Sequence, residues 1–217
     1  MSQKFPDHIY ALTSVLGQTP PMKNLSEFEG FPDQSVGFAR GEETPAAGGL
    51  GDSTRPYLTK FWFHPEQVGL LVAPPAQGKT AIAAAISAHL ALGHSFAGLK
   101  MKRSCVYYLA PEDPNGVKNR AYPYLKDYDR NLVPFSIVSR VPNFQDDNDI
   151  DNIIIDVNQR KNFWRTQNAF VVIDTTNLAI GDADENSATA VGKIISNARR
   201  IAVECQGYVL FIHHTSH

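Results

Sequence analysis

The sequence predicts an α/β fold: a mainly parallel sheet of about five or more strands with helices on both faces. Three observations carry that expectation. From about Tyr57 onward, short apolar runs alternate with longer segments of helical period. The run AFVVIDT is uncharged until its final aspartate, as a strand covered on both faces should be. And the polar clusters APPAQGKT, APED, IDTTN and HHTSH each follow an apolar run. In a parallel sheet that spacing gathers all four beyond the carboxyl ends of the strands, where ligands bind.

Taken in order, the first 55 residues read differently from the rest. GQTPPMKN, EGFPDQS and GEETPAAGGLGDSTRP are dense in Gly, Pro, Ser and acid, so residues 1–55 are expected to form an irregular arm or linker, with a short helix around Ile9 to Leu16. Residues 56–217 are expected to form the core. VGLLVAP is the first strand. In KTAIAAAISAHLALG, Ile82, Ile86 and Leu90 recur at i, i+4 and i+8, Gly93 supplies a stop, and no charge follows Lys79. A helix covered over most of its circumference is expected. SCVYYLAPED is the second strand, GVKNRAYPYLK a helical segment interrupted by Pro123, and PFSIVSRV the third strand. DIDNIIIDVNQRKNF reads as a helix despite its β-branched isoleucines, and AFVVIDT is the fourth strand. In NSATAVGKIISNARRIAVEC, capped by Asn186 or Ser187, one apolar face comprises Val191, Ile194, Ile195, Ala198, Ile201, Ala202 and Cys205. Gly207 ends it, and YVLFIHH is the fifth strand.

Composition sets the outer limits. The 217 residues are 43% hydrophobic and 19% charged, with a net charge of −2. This suits one domain of ordinary size and excludes a global basic field, so any nucleic-acid contact must come from a local patch. Cys105 and Cys205 sit in apolar stretches and are expected to be buried free thiols. No run of 18 or more apolar residues and no signal-type N-terminal segment occurs, so a soluble, cytoplasmic chain without membrane contact is expected.

APPAQGKT ends as a phosphate-binding loop does, with Gly78, Lys79 and Thr80, but Ala73 stands at its first glycine and two prolines follow. Pro74 and Pro75 have no N–H to donate. The donors expected to cradle phosphate come from Ala76, Gln77, Gly78, Lys79, Thr80 and Ala81, with the Lys79 amine on the β/γ oxygens and the Thr80 hydroxyl on Mg²⁺. Ala73 carries a cost only if its position needs positive φ. Asp174 is expected to hold Mg²⁺ opposite Thr80, and Glu112 to polarise the attacking water, with Asp113 as its competitor. His213, His214 and His217 also admit a metal reading, although no carboxylate or thiol lies near them in sequence. Lys100, Lys102 and Arg103 precede a strand and read as a solvated turn in preference to a phosphate-backbone contact; Phe61, Trp62 and Phe63 could stack a base, but read as core packing first.

YLAPEDPNGVKNR, FVVIDTTNLAIGDADENSATA and YVLFIHHTSH together resemble the RecA-like ATPases of the plasmid RepA type, ring-forming replicative helicases of plasmids and phages. The resemblance runs from about residue 60 to the last residue. It implies a RecA-like P-loop core, ATP and Mg²⁺ as ligands, and Lys79, Thr80 and Asp174 as phosphate and metal residues. Glu112 becomes the catalytic base, and Arg120 steadies it or a neighbouring subunit. His214 becomes the sensor of the γ-phosphate. Asp184, Glu185 and Asn186 fall near the nucleotide edge or a subunit contact. It further implies a homo-oligomeric ring, a hexamer, that contacts single-stranded DNA through regions largely beyond residue 217, so the core is expected to be truncated at its C-terminal end.

The expected function is therefore an ATP-hydrolysing motor domain of a replicative DNA helicase. The alternative is a RecA-like nucleotide-dependent switch, or a loader or recombination ATPase, without unwinding activity. A small-molecule kinase would need an arginine-rich lid, which the scattered basic residues do not resemble.

Overall fold

A computed structural model describes residues 56–140, 142–174 and 188–214. The expected arm over 1–55 and its helix lie outside the described residues, as do Asp184, Glu185, Asn186 and His217.

The described chain alternates strand and helix throughout: β1 (Gln67–Ala73), α1 (Lys79–Leu92), β2 (Cys105–Leu109), α2 (Pro114–Leu125), β3 (Phe135–Val138), α3 (Asp147–Trp164), β4 (Ala169–Asp174), α4 (Ala188–Glu204) and β5 (Tyr208–His214). The five strands form one sheet in the order β1-β5-β4-β2-β3, every neighbour pair parallel. Because strand side chains alternate between faces, the sheet feeds two cores. Tyr107, Leu109, Val171, Ile173, Val209 and Phe211 point to one, where α3 and α4 pack. Val106, Tyr108, Phe170, Val172, Leu210 and Ile212 point to the other, beneath α1. Every residue of β2 and β4 is buried, which is why neither run carries a charge before Asp174.

Local chemistry sets the helix ends. Gly78 (φ 78) precedes α1 and Gly93 (φ 71) terminates it, both left-handed, a conformation that costs glycine nothing. A Cβ on Gly93 would also press on the backbone of Arg103. Asp113 caps α2 by accepting from Gly116 N–H at 2.7 Å, with Pro114 in the first turn. Asp146 caps α3, and Asp147 and Asp149 follow in its first turn, complementing the helix dipole. Pro123 does not interrupt α2, contrary to the sequence expectation. It falls in the last turn, so its missing donor removes one terminal bond, and Lys126 N–H still reaches Tyr122 O at 2.9 Å.

The apolar face expected on α4 is corrected in part. Ile194, Ala198, Ile201, Ala202 and Cys205 are buried, but Val191 and Ile195 are 39% and 54% exposed. The reason is position: α4 packs beside β1, one of the two edge strands among the described residues, whose Leu70 and Val72 are exposed too. The outer flank of the stripe has no neighbour to cover it. Asn197 is buried instead and donates to Phe144 O at 2.8 Å, stitching α4 to the segment before α3.

Cys105 and Cys205 are free and fully buried, and burial pushes both thiols up to about 12. Lys161 is buried near them and donates to Cys205 O at 2.5 Å. No helix among the described residues is long and apolar enough to cross a membrane.

Gly207 fixes the approach of β5 to β4, since a Cβ there would stand 2.6 Å from Ala169 O. That neighbour is backbone and cannot swing away. Gly207→Ala is expected to destabilise the chain by about 1–3 kcal/mol, as overpacking does, read as a lower urea midpoint with an unchanged slope.

Candidate nucleotide site

The β1–α1 loop leaves the edge strand and turns into α1 through two left-handed residues, Ala76 (φ 61) and Gly78 (φ 78). The sequence singled out Ala73 as the place where a missing glycine carries a cost if positive φ is needed. Ala73 instead lies in β1, paired with His214, and the positive φ falls at Ala76. An alanine there pays roughly 1 kcal/mol of steric strain. This turn aims backbone donors outward. Among the described residues, no acceptor takes the N–H groups of Gly78, Lys79, Thr80 or Ala81, while Ile82 N–H begins the helical ladder to Gly78 O at 3.0 Å. Unpaired donors at a helix start, with the dipole behind them, form an anion site.

The prolines have a use the sequence did not reveal. Lys79 is 4% exposed, and its ammonium donates to Ala73 O at 2.6 Å and to Pro74 O at 2.7 Å. A proline has no donor, yet its carbonyl is as good an acceptor as any. Two of the three ammonium protons are thus held by the loop's own backbone, fixing the amine beneath the donor array and leaving one proton to give.

The other functional candidates arrive from three strands. Asp174 ends β4 and pairs with Ile212, which pairs in turn with Leu71. β5 therefore separates the Asp174 strand from the loop strand, and at about 4.8 Å per strand spacing the two lie roughly 10 Å apart. That gap is wide enough for a phosphate and its metal ion. Asp174 is 7% exposed and accepts a 2.9 Å hydrogen bond from the fully buried Tyr108 hydroxyl. Burial, followed by the Asp174 charge, drives the Tyr108 phenol far above its ordinary value, so it stays a donor at all working pH. Sequence reasoning missed Tyr108; its only signal was a pair of adjacent tyrosines, Tyr107 and Tyr108, in an otherwise apolar strand, and alternation sends their hydroxyls to opposite faces.

Glu112 and Asp113 follow β2 and are exposed, but they differ in commitment. Both Asp113 oxygens are engaged, one by Gly116 N–H and the other by Arg120 at 3.3 Å. Gly116 permits this clasp, because a Cβ there would overlap both side chains. Glu112 has no such partner among the described contacts. A cleft of about 360 Å³ is lined by Thr80, Glu112, Asp113, Arg120 and Asp174 with Ala110 and Val117. A second, of about 520 Å³, is lined by Ala76 through Ala81 and Arg120. Thr80 and Arg120 belong to both, so the donor loop and the carboxylates share one wall. Arg120, which the resemblance assigns to steadying the glutamate or a neighbouring subunit, meets Asp113 at the start of its own helix within this chain.

His213 and His214 end β5 between the loop strand and the Asp174 strand. His213 is half-buried; the side chain of His214 lies outside the described residues. Among the described residues, no group of three His, Cys, Asp or Glu side chains is arranged to hold a metal ion.

Residues 46–217 match a family model described as an AAA domain. No curated protein matches the chain.

Tyr108→Phe keeps the ring and deletes the hydrogen bond to Asp174. The buried carboxylate then loses its donor, and unfolding free energy is expected to fall by about 1.5–3 kcal/mol, the range for bonds to charged groups. The difference in urea midpoint from the parent chain measures it.

Proposed function

The chain belongs to the AAA domain family, a family of nucleotide-dependent P-loop ATPases, and from that premise we propose that it is the ATP-binding and hydrolysing motor core of a RepA-type replicative DNA helicase, of phage or plasmid-like origin. The observation that supports this best is the shared wall: Thr80 and Arg120 border both the backbone-donor loop and the carboxylate cleft.

In this reading the unpaired N–H groups at the start of α1 receive the β- and γ-phosphates of ATP, and Lys79 gives its remaining proton to them. The donor set also fits Mg²⁺, which prefers hard oxygen ligands: the Thr80 hydroxyl and the Asp174 carboxylate line one cleft. Mg²⁺ there would neutralise charge on the transferred phosphoryl group. Tyr108 holds the Asp174 carboxylate in its orientation. Glu112, the carboxylate left uncommitted beside Asp113, orients a water and accepts its proton as the water oxygen bonds to the γ-phosphorus. The bond from the γ-phosphorus to the bridging oxygen breaks, giving ADP and inorganic phosphate. His214, on the strand between the two ligand strands, senses the loss of the γ-phosphate. The motor acts as a homo-oligomeric ring, a hexamer, on single-stranded DNA.

Lys79→Ala is expected to abolish ATP binding in calorimetry, and tight binding by that variant refutes the phosphate assignment. Glu112→Gln is expected to bind ATP within about threefold of the parent and to lose turnover by about 10²–10⁴-fold, the range for a general base. Unwinding of a forked duplex separates the motor from the alternative, a nucleotide-dependent switch or loader: a switch hydrolyses ATP without displacing a strand.

A further inference from the structure

At the opposite end of the sheet, two segments form a strap that the nucleotide site does not use. Residues 57–63 precede β1 and residues 99–103 precede β2, and they pair antiparallel through Thr59 and Met101. Lys60 N–H bonds to Lys100 O at 2.9 Å and Lys102 N–H to Leu58 O at 2.8 Å. Thr59 and Met101 are buried, and Phe63 is anchored on Phe170 and Tyr208, at the amino ends of β4 and β5. The strap thus stands about 20 Å from the phosphate loop, the length of β1.

Two features of this strap work against stability. The register sets Lys60 directly opposite Lys100, and like charges in facing positions repel. Next to them Phe61 lies at the third position of a turn closed by Trp62 N–H to Thr59 O, with φ 71. Turns of this kind reserve that φ for Gly or Asn. Its ring is also 68% exposed, which corrects the expectation that it packs in the core; only Phe63 does so. A bulky residue held in left-handed backbone with its ring in water gains nothing from folding, and such strain gathers at functional positions.

The charge is local as well. Residues 57–66 and 99–103 hold four cations (Lys60, Lys100, Lys102 and Arg103) and one carboxylate, Glu66, in a chain whose net charge is −2. Arg103 is committed to Leu132 O and Trp164 O. The Lys60 amine lies over the exposed Phe61 ring at 5.0 Å, the Lys102 amine lies over the Tyr57 ring at 4.6 Å, and Lys100 faces Lys60 across the strap. Lys100 and Lys102 are two residues apart on one edge, about 6.6 Å along the strand, close to the spacing of neighbouring phosphates in an extended strand.

We propose that this strap binds single-stranded nucleic acid, the three lysines on successive phosphates and the Phe61 ring stacked on a base. Cations that track a backbone beside a ring that accepts any base are what sequence-tolerant single-strand binding requires. An acidic polypeptide would satisfy the lysines and leave the ring without a role. The inference deepens the DNA-directed reading by naming a contact surface, and its chemistry stands on the strap itself.

The test is fluorescence anisotropy of a labelled thymidine 20-mer with the full chain across a salt series. The parent is expected to bind, with affinity falling as salt rises. The triple variant Lys60→Ala, Lys100→Ala, Lys102→Ala is expected to flatten the log–log salt slope by about 2, at roughly 0.7 per phosphate contact on a single strand. Phe61→Gly is expected to weaken binding by about 5- to 140-fold, the range for one lost stack. Its urea midpoint should be equal or higher, since glycine relieves the left-handed backbone. Phe61→Trp restores binding. If the triple variant and Phe61→Gly bind like the parent, the strap assignment falls while the DNA-directed reading stands. If the parent does not bind the oligonucleotide, the strap assignment falls as well, and the DNA-directed reading is decided separately by the unwinding assay. If polyglutamate displaces the oligonucleotide at equal charge concentration and Phe61→Gly has no effect, the surface belongs to an acidic polypeptide and the proposal is overturned.

Discussion

Much of this molecule follows from one buried cation. The Lys79 ammonium is almost wholly removed from water, and its acceptors among the described contacts are two neutral carbonyls, those of Ala73 and Pro74. Backbone dipoles offset only part of the cost of desolvating a full charge. The unpaired N–H groups at the start of α1 add positive potential beside it. The site is therefore electrostatically incomplete in one sense only: it calls for negative charge. The carboxylates of Asp174 and Glu112 stand across the cleft and cannot supply it directly, because β5 holds the Asp174 strand two spacings away. An anion of phosphate size, with a metal ion between it and Asp174, satisfies both walls together.

How far this could be read from the residues depended on whether the cause was local. The uncharged run ending in Asp174 required a strand buried on both faces, and β4 is buried at every position. The alanine-rich segment after Lys79 required a covered helix, and α1 is one. The gathering of loop, Glu112 and Asp174 at one edge followed from parallel pairing alone. What stayed hidden depended on neighbours remote in sequence or on backbone angles. Nothing in APPAQGKT says that positive φ falls at Ala76 and not at Ala73, since the pattern fixes spacing and not dihedrals. Nothing in PEDPNGVKNR says that Asp113 is committed to a cap and to Arg120, leaving Glu112 free. Val191 and Ile195 matched the periodicity of α4 and are nonetheless exposed, because periodicity names a stripe and only the packing partner decides how much of it is covered.

The sheet also separates two kinds of chemistry. Polar groups that demand an anion with a metal ion collect at the carboxyl ends of the strands, while the lysine strap sits at the amino ends, and β1 runs from one to the other. Like β3 at the other edge, β1 has its ladder on one side only, and it carries the exposed Leu70 and Val72.

The two cysteines give the core a built-in reporter. Thiolate is the reactive form of cysteine, and burial has all but removed it from Cys105 and Cys205. Cys205 belongs to the core covered by α3 and α4, and Cys105 falls on the same β2 face as Tyr107 and Leu109, so an alkylating reagent can reach them only when those helices part from the sheet. At reagent concentrations high enough to outpace reclosing, the pace of labelling in the native chain would follow those separations, turning a pair of silent sulfur atoms into a clock for how often the protein breathes.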